Sequence, residues 1–293
     1  MSYEVKQQPQ TKHIKFSVAI QADAYKNMIN QTLGDPNEAK KFVSNISTAV
    51  SANPKLQLCD AGSIISAGLA AYSLGLPINQ ALGFAYILPY RCKEKDKDGN
   101  EYWVDKAQFQ IGYKGLIQLC LRSGQYKRIG VKPVHKGETQ GQDEFGDEVI
   151  KFDHKFDNEP VVGYFAYFQL VNGAAMTSYK TMEECEEHGK KYSKSYKGLW
   201  TTNFDTMAMK TTLKLLLSKY GIMSTEMQNA IRYDQAVINT LDGKEVVEYV
   251  DNPNGKVAIE DSSEILEEIP SPESIENADL REQILAKKGE NSK

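Results

Sequence analysis

The spacing of apolar residues along the chain predicts helices on both sides of a strand-rich middle. In residues 35–53 the apolar side chains fall on one side of an amphipathic helix, which an Asn-Pro step would end. A second helix is predicted from Asp60, a suitable N-cap, to Gly75, and its many small residues would let a neighbouring helix approach closely. The same pattern predicts three later helices, at residues 182–195, 204–221 and 224–238.

Short runs of aromatic and β-branched residues predict the strands. FAYILPY at 84–90 leads into a charged hairpin around Asp98-Gly99, and AQFQI at 107–111 is a further strand. A helix at 113–124 is apolar enough to pack on a sheet. Two strand pairs follow, 126–134 with 148–156 and 161–171 with 174–181. We therefore expect an α+β fold, in which a mostly antiparallel sheet built from hairpins packs with helices.

Composition divides the chain into three parts. Residues 1–30 are polar and weakly patterned, which predicts a loosely ordered arm with at most one short helix, and residues 31–240 are predicted to form the core. Residues 241–293 hold 14 acidic and six basic side chains, a net of −8 within a chain of net charge −4, so the first 240 residues stand at +4. We expect 241–293 to be an acidic flexible tail, with a possible short helix at ADLREQILAKK.

Several classes of protein are disfavoured by what the sequence lacks. No apolar run approaches the roughly 20 residues that span a bilayer, and the first residues lack the apolar region of a secretory signal, which predicts a cytoplasmic protein with no membrane partner. The four cysteines form no CxxC pair, so buried free thiols are expected rather than a zinc site or disulfides. No phosphate-binding loop, GxSxG or HExxH motif is present, so no cofactor and no ATP hydrolysis are predicted.

Positive charge is concentrated in two parts of the core. Residues 106–136 and 188–220 together hold 14 basic side chains and one acid. In the first part the cations are interleaved with tyrosines, a combination that suits single-stranded nucleic acid because cations follow phosphates while aromatic rings stack on bases. Residues 190, 194 and 197 would share one helix face. The predicted DNA-binding residues are Lys106, Gln108, Gln110, Tyr113, Lys114, Arg122, Tyr126, Lys127, Arg128, Lys190, Lys191, Lys194, Lys197, Trp200, Lys210, Lys214 and Lys219.

Three other interpretations stay open from the residues alone. Each lysine by itself is compatible with a solvated helix face. Asp147, Asp153 and Lys155 have the spacing of a metal-dependent nuclease strand, although such a short motif recurs by chance. The same basic surface would also suit an RNA-binding structural module that reads the 2′-hydroxyl.

Several long segments, in their order along the chain, resemble the RecT family of phage and prophage single-strand annealing proteins. These are LGLPINQALGFAYILPY, AQFQIGYKGLIQLCLRSGQYKRI, GYFAYFQL and the lysine-rich helix that ends in LLLSKYGIMS, within roughly residues 35–235. The resemblance implies binding of single-stranded DNA and annealing to a duplex without ATP and without enzyme activity, within phage-type recombination. It also implies a homo-oligomer (a ring or helical filament), a 5′-to-3′ exonuclease partner and contact with the host's single-strand-binding protein. Its motifs coincide with the basic segments at QFQIGYKG, Arg122, Lys127, Arg128 and the lysines of 190–197 and 210–219.

Overall fold

The computed structural model describes residues 14–95, 99–193, 196–241, 244–249 and 256–257. The helices in this part of the chain are α1 (Phe16–Ala19), α2 (Asp23–Leu33), α3 (Pro36–Ser51), α4 (Ala61–Ser73), α5 (Tyr113–Arg122), α6 (Met182–Tyr192), α7 (Leu199–Thr202), α8 (Phe204–Tyr220) and α9 (Thr225–Tyr233). The strands are β1 (Ala85–Lys95), β2 (Glu101–Ile111), β3 (Tyr126–His135), β4 (Thr139–Gln142), β5 (Glu148–Lys151), β6 (Val161–Leu170), β7 (Ala175–Thr181), β8 (Val237–Leu241), β9 (Lys244–Glu248) and β10 (Lys256–Val257). Single 3₁₀ turns lie at Leu56–Leu58 and His154–Phe156.

Helices α3 and α4 follow the predicted pattern. Asp35 caps α3, because its side chain accepts a hydrogen bond from the backbone N–H of Asn37, and Asp60 caps α4 in the same way through Ser63. A Cβ atom on Gly68 would collide with Ile46 of α3, so the small residues of α4 do permit the close approach that was expected. Both predicted helices are confirmed.

The strands β1 and β2 form one long antiparallel hairpin, with Ala85 opposite Ile111 and Lys95 opposite Glu101. The sequence pattern had divided β2 into a hairpin arm and a separate strand, but it is continuous. One face of β2 presents the buried residues Ala107, Phe109 and Ile111 to the main core, against which α4 packs. The alternation of side chains along β2 therefore places residues 106, 108 and 110 on the opposite face.

A second sheet has the strand order β3-β6-β7, and α8 packs across all three strands. The predicted pairing of 126–134 with 148–156 is wrong, because β3 pairs with β6 and the short hairpin β4–β5 lies between them in sequence. The predicted β6–β7 hairpin, which turns at Asn172-Gly173, is confirmed. Every strand pairing among the described residues is antiparallel, so the predicted α+β class with hairpin-built sheets is confirmed.

The two ends of the core differ from the sequence-based division. Residues 14–33 contain two helices rather than at most one, because widely spaced apolar residues, Phe16, Ile20 and Ile29, bury themselves in the main core. At the other end α9 stops at Tyr233 instead of continuing to 238, and β8 pairs with β9, which lies beyond the expected boundary at 240. Residues 258–293, with the predicted C-terminal helix, lie outside the described residues.

None of the helices in the described segments combines the length and the apolar character needed to cross a bilayer. The four cysteines are buried and free, and burial raises the pKa of the thiols of Cys59 and Cys120 to about 12 and that of Cys92 to about 11. They serve as small core residues.

Candidate nucleic-acid interface

Three predicted DNA-binding residues, Lys106, Gln108 and Gln110, share one face of β2, but none of them is open to solvent. Their exposed fractions are 6%, 0% and 4%. The ammonium of Lys106 forms an ion pair with Glu94 across the hairpin, and the Gln108 amide donates a hydrogen bond to the backbone carbonyl of Gln235. The sequence predicted that they bind DNA, but the structure buries all three, with Lys106 against β1 and Gln108 against the segment after α9.

The GYKG motif at the start of α5 is a packing device. A Cβ atom on Gly112 would collide with the carbonyl oxygen of Gly83, and one on Gly115 with that of Phe84. The Gly112 N–H donates a 2.9 Å hydrogen bond to the Phe84 carbonyl, so the preceding loop lies directly against the helix start. This contact leaves Tyr113 half-buried and Lys114 exposed.

Two further residues of the first segment have structural partners. The Arg122 guanidinium donates hydrogen bonds to the carbonyl oxygens of Leu74 and Gly75, where it satisfies the C-terminal end of α4. Tyr126 is buried, and its hydroxyl oxygen accepts a 2.7 Å hydrogen bond from the Ile222 N–H. Arg122 nevertheless remains exposed overall, whereas Tyr126 does not.

The Tyr126 contact joins the start of β3 to the chain just after α8. Lys127 and Arg128 follow Tyr126, and Lys219 lies in the last turn of α8. All three side chains are exposed, and within the part of the chain that the structure describes none of them forms an ion pair with a carboxylate. The Tyr126–Ile222 hydrogen bond thus joins two cation-bearing segments that are 96 positions apart in sequence.

The second basic segment is less regular than predicted. A capping box between Thr181 and Glu184 begins α6, and the helix ends at Tyr192, so Lys197 cannot share a helix face with Lys190 as expected. Lys190 pairs with Glu186 at 2.7 Å, while Lys191 and Lys197 are exposed. Lys194 lies outside the described residues.

Trp200, a predicted DNA-binding residue, is almost fully buried. Its indole ring packs against Gly189 of α6, where a Cβ atom would lie 2.7 Å from the ring, and against the ring of Phe204. The indole ring is therefore not exposed on the surface as a DNA-binding residue would be, although Trp200 also lines a cavity that is described below.

The two lysines of α8 that form an i,i+4 stripe meet a buried carboxylate. Asp234 is 1% exposed, and its two oxygens accept from Lys210 Nζ at 2.7 Å and from Lys214 Nζ at 2.6 Å. One of the same oxygens accepts a 3.1 Å hydrogen bond from the N–H of Ile111 in β2. Burial by itself would raise the pKa of Asp234, but the two ammonium charges outweigh it and hold the pKa below its usual value.

Lys210, Lys214 and Asp234 form a charged triad. This triad lines a cavity of about 310 Å³ between α6, α8 and the chain after α9. Three predicted residues, Trp200, Lys210 and Lys214, line it together. Sequence reasoning missed its other polar and aromatic walls, of which His188 and Tyr192 carry a detectable signal because their i,i+4 spacing puts them on one helix face. Asp234 and Gln235, which follow α9, and Tyr249, which follows β9, were also missed and carry no such signal.

His188 is the histidine among the residues that line this cavity. Its ring lies 4.6 Å from the ring of Tyr192. Burial and the nearby charges of Lys180, Lys214 and Lys191 lower the pKa of His188 below its ordinary value. The imidazole is therefore neutral at pH 7, and the positive charge of the cavity comes from lysine.

The residues of the nuclease alternative do not assemble into a metal centre. Asp153 pairs with Lys155 at 3.0 Å and accepts a hydrogen bond from the same residue's N–H at the start of a 3₁₀ turn. Asp147 lies before β5, whereas Asp153 follows it. Among the described residues, no group of three His, Cys, Asp or Glu side chains is arranged to hold a metal ion.

Comparison with known proteins agrees with the resemblance seen in the sequence. Residues 40–249 match the sequence model of the RecT family. The chain is 41% identical over 233 residues to the uncharacterized protein YqaK of Bacillus subtilis (strain 168), covering 80% of this chain and 72% of YqaK. It is 31% identical over 206 residues to Protein RecT of Escherichia coli (strain K12), covering 70% of this chain and 74% of that protein. The match spans most of the core and includes every basic segment, so the chain belongs to the RecT family of single-strand annealing proteins.

Proposed function

We propose that this protein binds single-stranded DNA through the exposed cations around α5, the start of β3 and the end of α8, and anneals complementary strands without ATP. Membership of the RecT family carries the proposal. The structure supports it with Lys114, Lys127, Arg128 and Lys219, which are exposed and form no ion pair within the described residues. A lysine or arginine side chain that forms no ion pair with a protein carboxylate can bind a DNA phosphate.

Binding is expected to be independent of base sequence. Phosphate contacts and ring stacking distinguish bases weakly, and the proposed contacts with DNA are of these two kinds. The buried side chains of Gln108 and Lys210 instead connect β2 and α8 to the segment after α9, through the Gln235 carbonyl and the Asp234 carboxylate.

Salt dependence of binding tests this proposal directly. Fluorescence anisotropy of a labelled single strand should show an affinity that falls with salt, with a slope of about −0.7 per phosphate neutralised. The charge reversal Lys127→Glu with Arg128→Glu should weaken binding equally for every sequence and make the slope shallower. Lys40→Glu, which reverses an exposed charge on α3, is the matched control and should keep the parent slope. A salt-insensitive affinity would reject the proposal.

Annealing by this mechanism requires several protomers along one strand. Comparable single-strand-binding folds cover about 4 to 16 nucleotides each, and a duplex of that length dissociates quickly. We therefore include a homo-oligomer, as a ring or helical filament, in the proposal. Light scattering that found only monomers on long single-stranded DNA, with annealing intact, would contradict this part.

The remaining partners follow from the family rather than from any contact in the fold. A 5′-to-3′ exonuclease would supply the single strand that this protein covers, and the host's single-strand-binding protein would occupy the same DNA beforehand. An RNA-binding module, the alternative class, would prefer RNA and would not accelerate pairing.

A further inference from the structure

We propose that the cavity between α6 and α8 holds one nucleotide of the bound strand, with its base turned into the cavity and its phosphate at Lys214. This inference rests on the proposed binding of single-stranded DNA and adds to it a discrete subsite. The exposed cations Lys127, Arg128 and Lys219 are not among the residues that line the cavity.

The size of the cavity suits a single nucleotide. Its volume of about 310 Å³ is at the lower end of the range of roughly 300–1,000 Å³ found for small-molecule sites. One base with its sugar fits such a space, whereas a base pair does not. The occupant is therefore a nucleotide from one strand and not a segment of duplex.

The charge of the cavity suits a phosphate. Lys210 and Lys214 line the cavity together with Asp234, whose carboxylate binds both ammonium groups. The Lys214 side chain is 25% exposed, and its ammonium carries further N–H donors beyond the one that it gives to Asp234. Because Asp234 also fixes the position of that ammonium, the phosphate would meet a pre-oriented donor.

The walls of the cavity suit a base. His188 and Tyr192 stand one turn apart on α6 with their rings in contact, and Tyr192 is 55% exposed at the rim. Trp200, which is 4% exposed, also lines the cavity, and Tyr249 contributes from the segment after β9. Aromatic faces bind any base by stacking, which agrees with sequence-independent binding.

The backbone of the cavity wall is held in an uncommon conformation. Gln235 lines the cavity with φ at +66°, and among the described residues it is the only one other than glycine with a positive φ. Its carbonyl accepts the hydrogen bond from Gln108, and its N–H donates to the Phe109 carbonyl at 3.0 Å. Such strained positions are retained where the surrounding structure enforces them, often beside ligand sites.

Trp200 provides a direct probe of occupancy. The chain has two tryptophans, so Trp103→Phe leaves Trp200 as the sole emitter in the full chain. Titration with oligothymidylate should quench Trp200 emission in parallel with the anisotropy of a labelled strand. An abasic strand of equal length should bind without this quenching. If the abasic strand quenches equally, or if the normal strand binds without any quenching, the proposal is overturned.

Variants at the rim separate stacking from folding. In the same background Tyr192→Ala should weaken strand binding roughly tenfold, while Tyr192→Phe, which keeps the ring, should restore it. Lys40→Ala is the control and should change neither readout. Equal affinity of Tyr192→Ala and the parent would overturn the proposal, as would quenching by free thymidine monophosphate but not by the strand. Loss of all anisotropy change in the parent would instead reject the proposed DNA binding itself.

Discussion

Asp234 shows how one residue can join distant parts of this fold. Its carboxylate accepts hydrogen bonds from two lysines of α8 and from the backbone of β2, while it directly follows α9. Lys210 and Lys214 look like a solvated stripe in the sequence, because an i,i+4 pair of lysines on a helix usually faces water. In the structure both lysines bind the buried carboxylate of Asp234, which lies 24 residues after Lys210 and 20 residues after Lys214.

Replacing Asp234 with Asn should strongly destabilise the protein. The substitution removes the carboxylate that binds one buried and one half-buried ammonium, and breaking comparable buried pairs costs about 3 to 5 kcal/mol. Urea denaturation at pH 7 measures the free energy of unfolding. Asp153→Asn removes an exposed pair and should have little effect. Equal stability of the two variants would show that the triad is not a structural link.

Among the elements, the start of α5 depends most on residues without side chains. The loop before β1 lies against the first turn of α5 because Gly112 and Gly115 leave room for its carbonyl groups. This contact fixes the end of β2 and the direction of α5, and with it the exposed position of Lys114. The two glycines therefore shape the interface through packing.

Adding a methyl group at either glycine should disturb this contact. Gly112→Ala or Gly115→Ala should lower the free energy of unfolding by about 1 to 3 kcal/mol, as other overpacked sites do. The control is Gly141→Ala in β4, where a Cβ atom meets nothing within 4 Å and φ is not positive. Thermal unfolding compares the three variants. A parent-like melting temperature for both Gly112→Ala and Gly115→Ala would contradict the close approach.

Most helices and the β6–β7 hairpin could be predicted from the sequence, because caps, periodicity and turn residues are local signals. The partner of β3 could not, since the β4–β5 hairpin lies between two strands that pair across it. The basic segments were found correctly as concentrations of charge, but composition does not show which side a residue faces. Lys106, Gln108, Gln110, Tyr126, Trp200 and Lys210 are buried by long-range contacts that no local pattern encodes.

For the whole molecule, the unequal distribution of charge leads to a prediction about the tail. Residues 258–293 carry ten acidic and four basic side chains, and a tethered polyanion competes with DNA phosphates at high effective concentration. A truncation after Val257 preserves β8 to β10, unlike one at Leu241, which would remove β9. The truncated protein should bind single-stranded DNA more tightly at low salt, and the difference should shrink as salt screens the charges.

A neutralised tail separates charge from length in this experiment. Changing six of the ten acidic residues to their amides brings the net charge of residues 258–293 to zero and should reproduce the truncation, because competition depends on charge. Anisotropy at low salt that gave equal affinities for the full and truncated chains would rule out competition and leave the tail with a solubilising or partner-binding role.

Annealing without ATP or a metal ion is tested most directly by following two complementary labelled strands as they pair, in buffer with EDTA and without nucleotide. We expect the protein to accelerate pairing, ATP and magnesium to add nothing, both strands to keep their length on a gel, and the Lys127→Glu, Arg128→Glu variant to lose the acceleration. Pairing no faster than without protein, a requirement for ATP, or shortening of the strands when magnesium is supplied would contradict it.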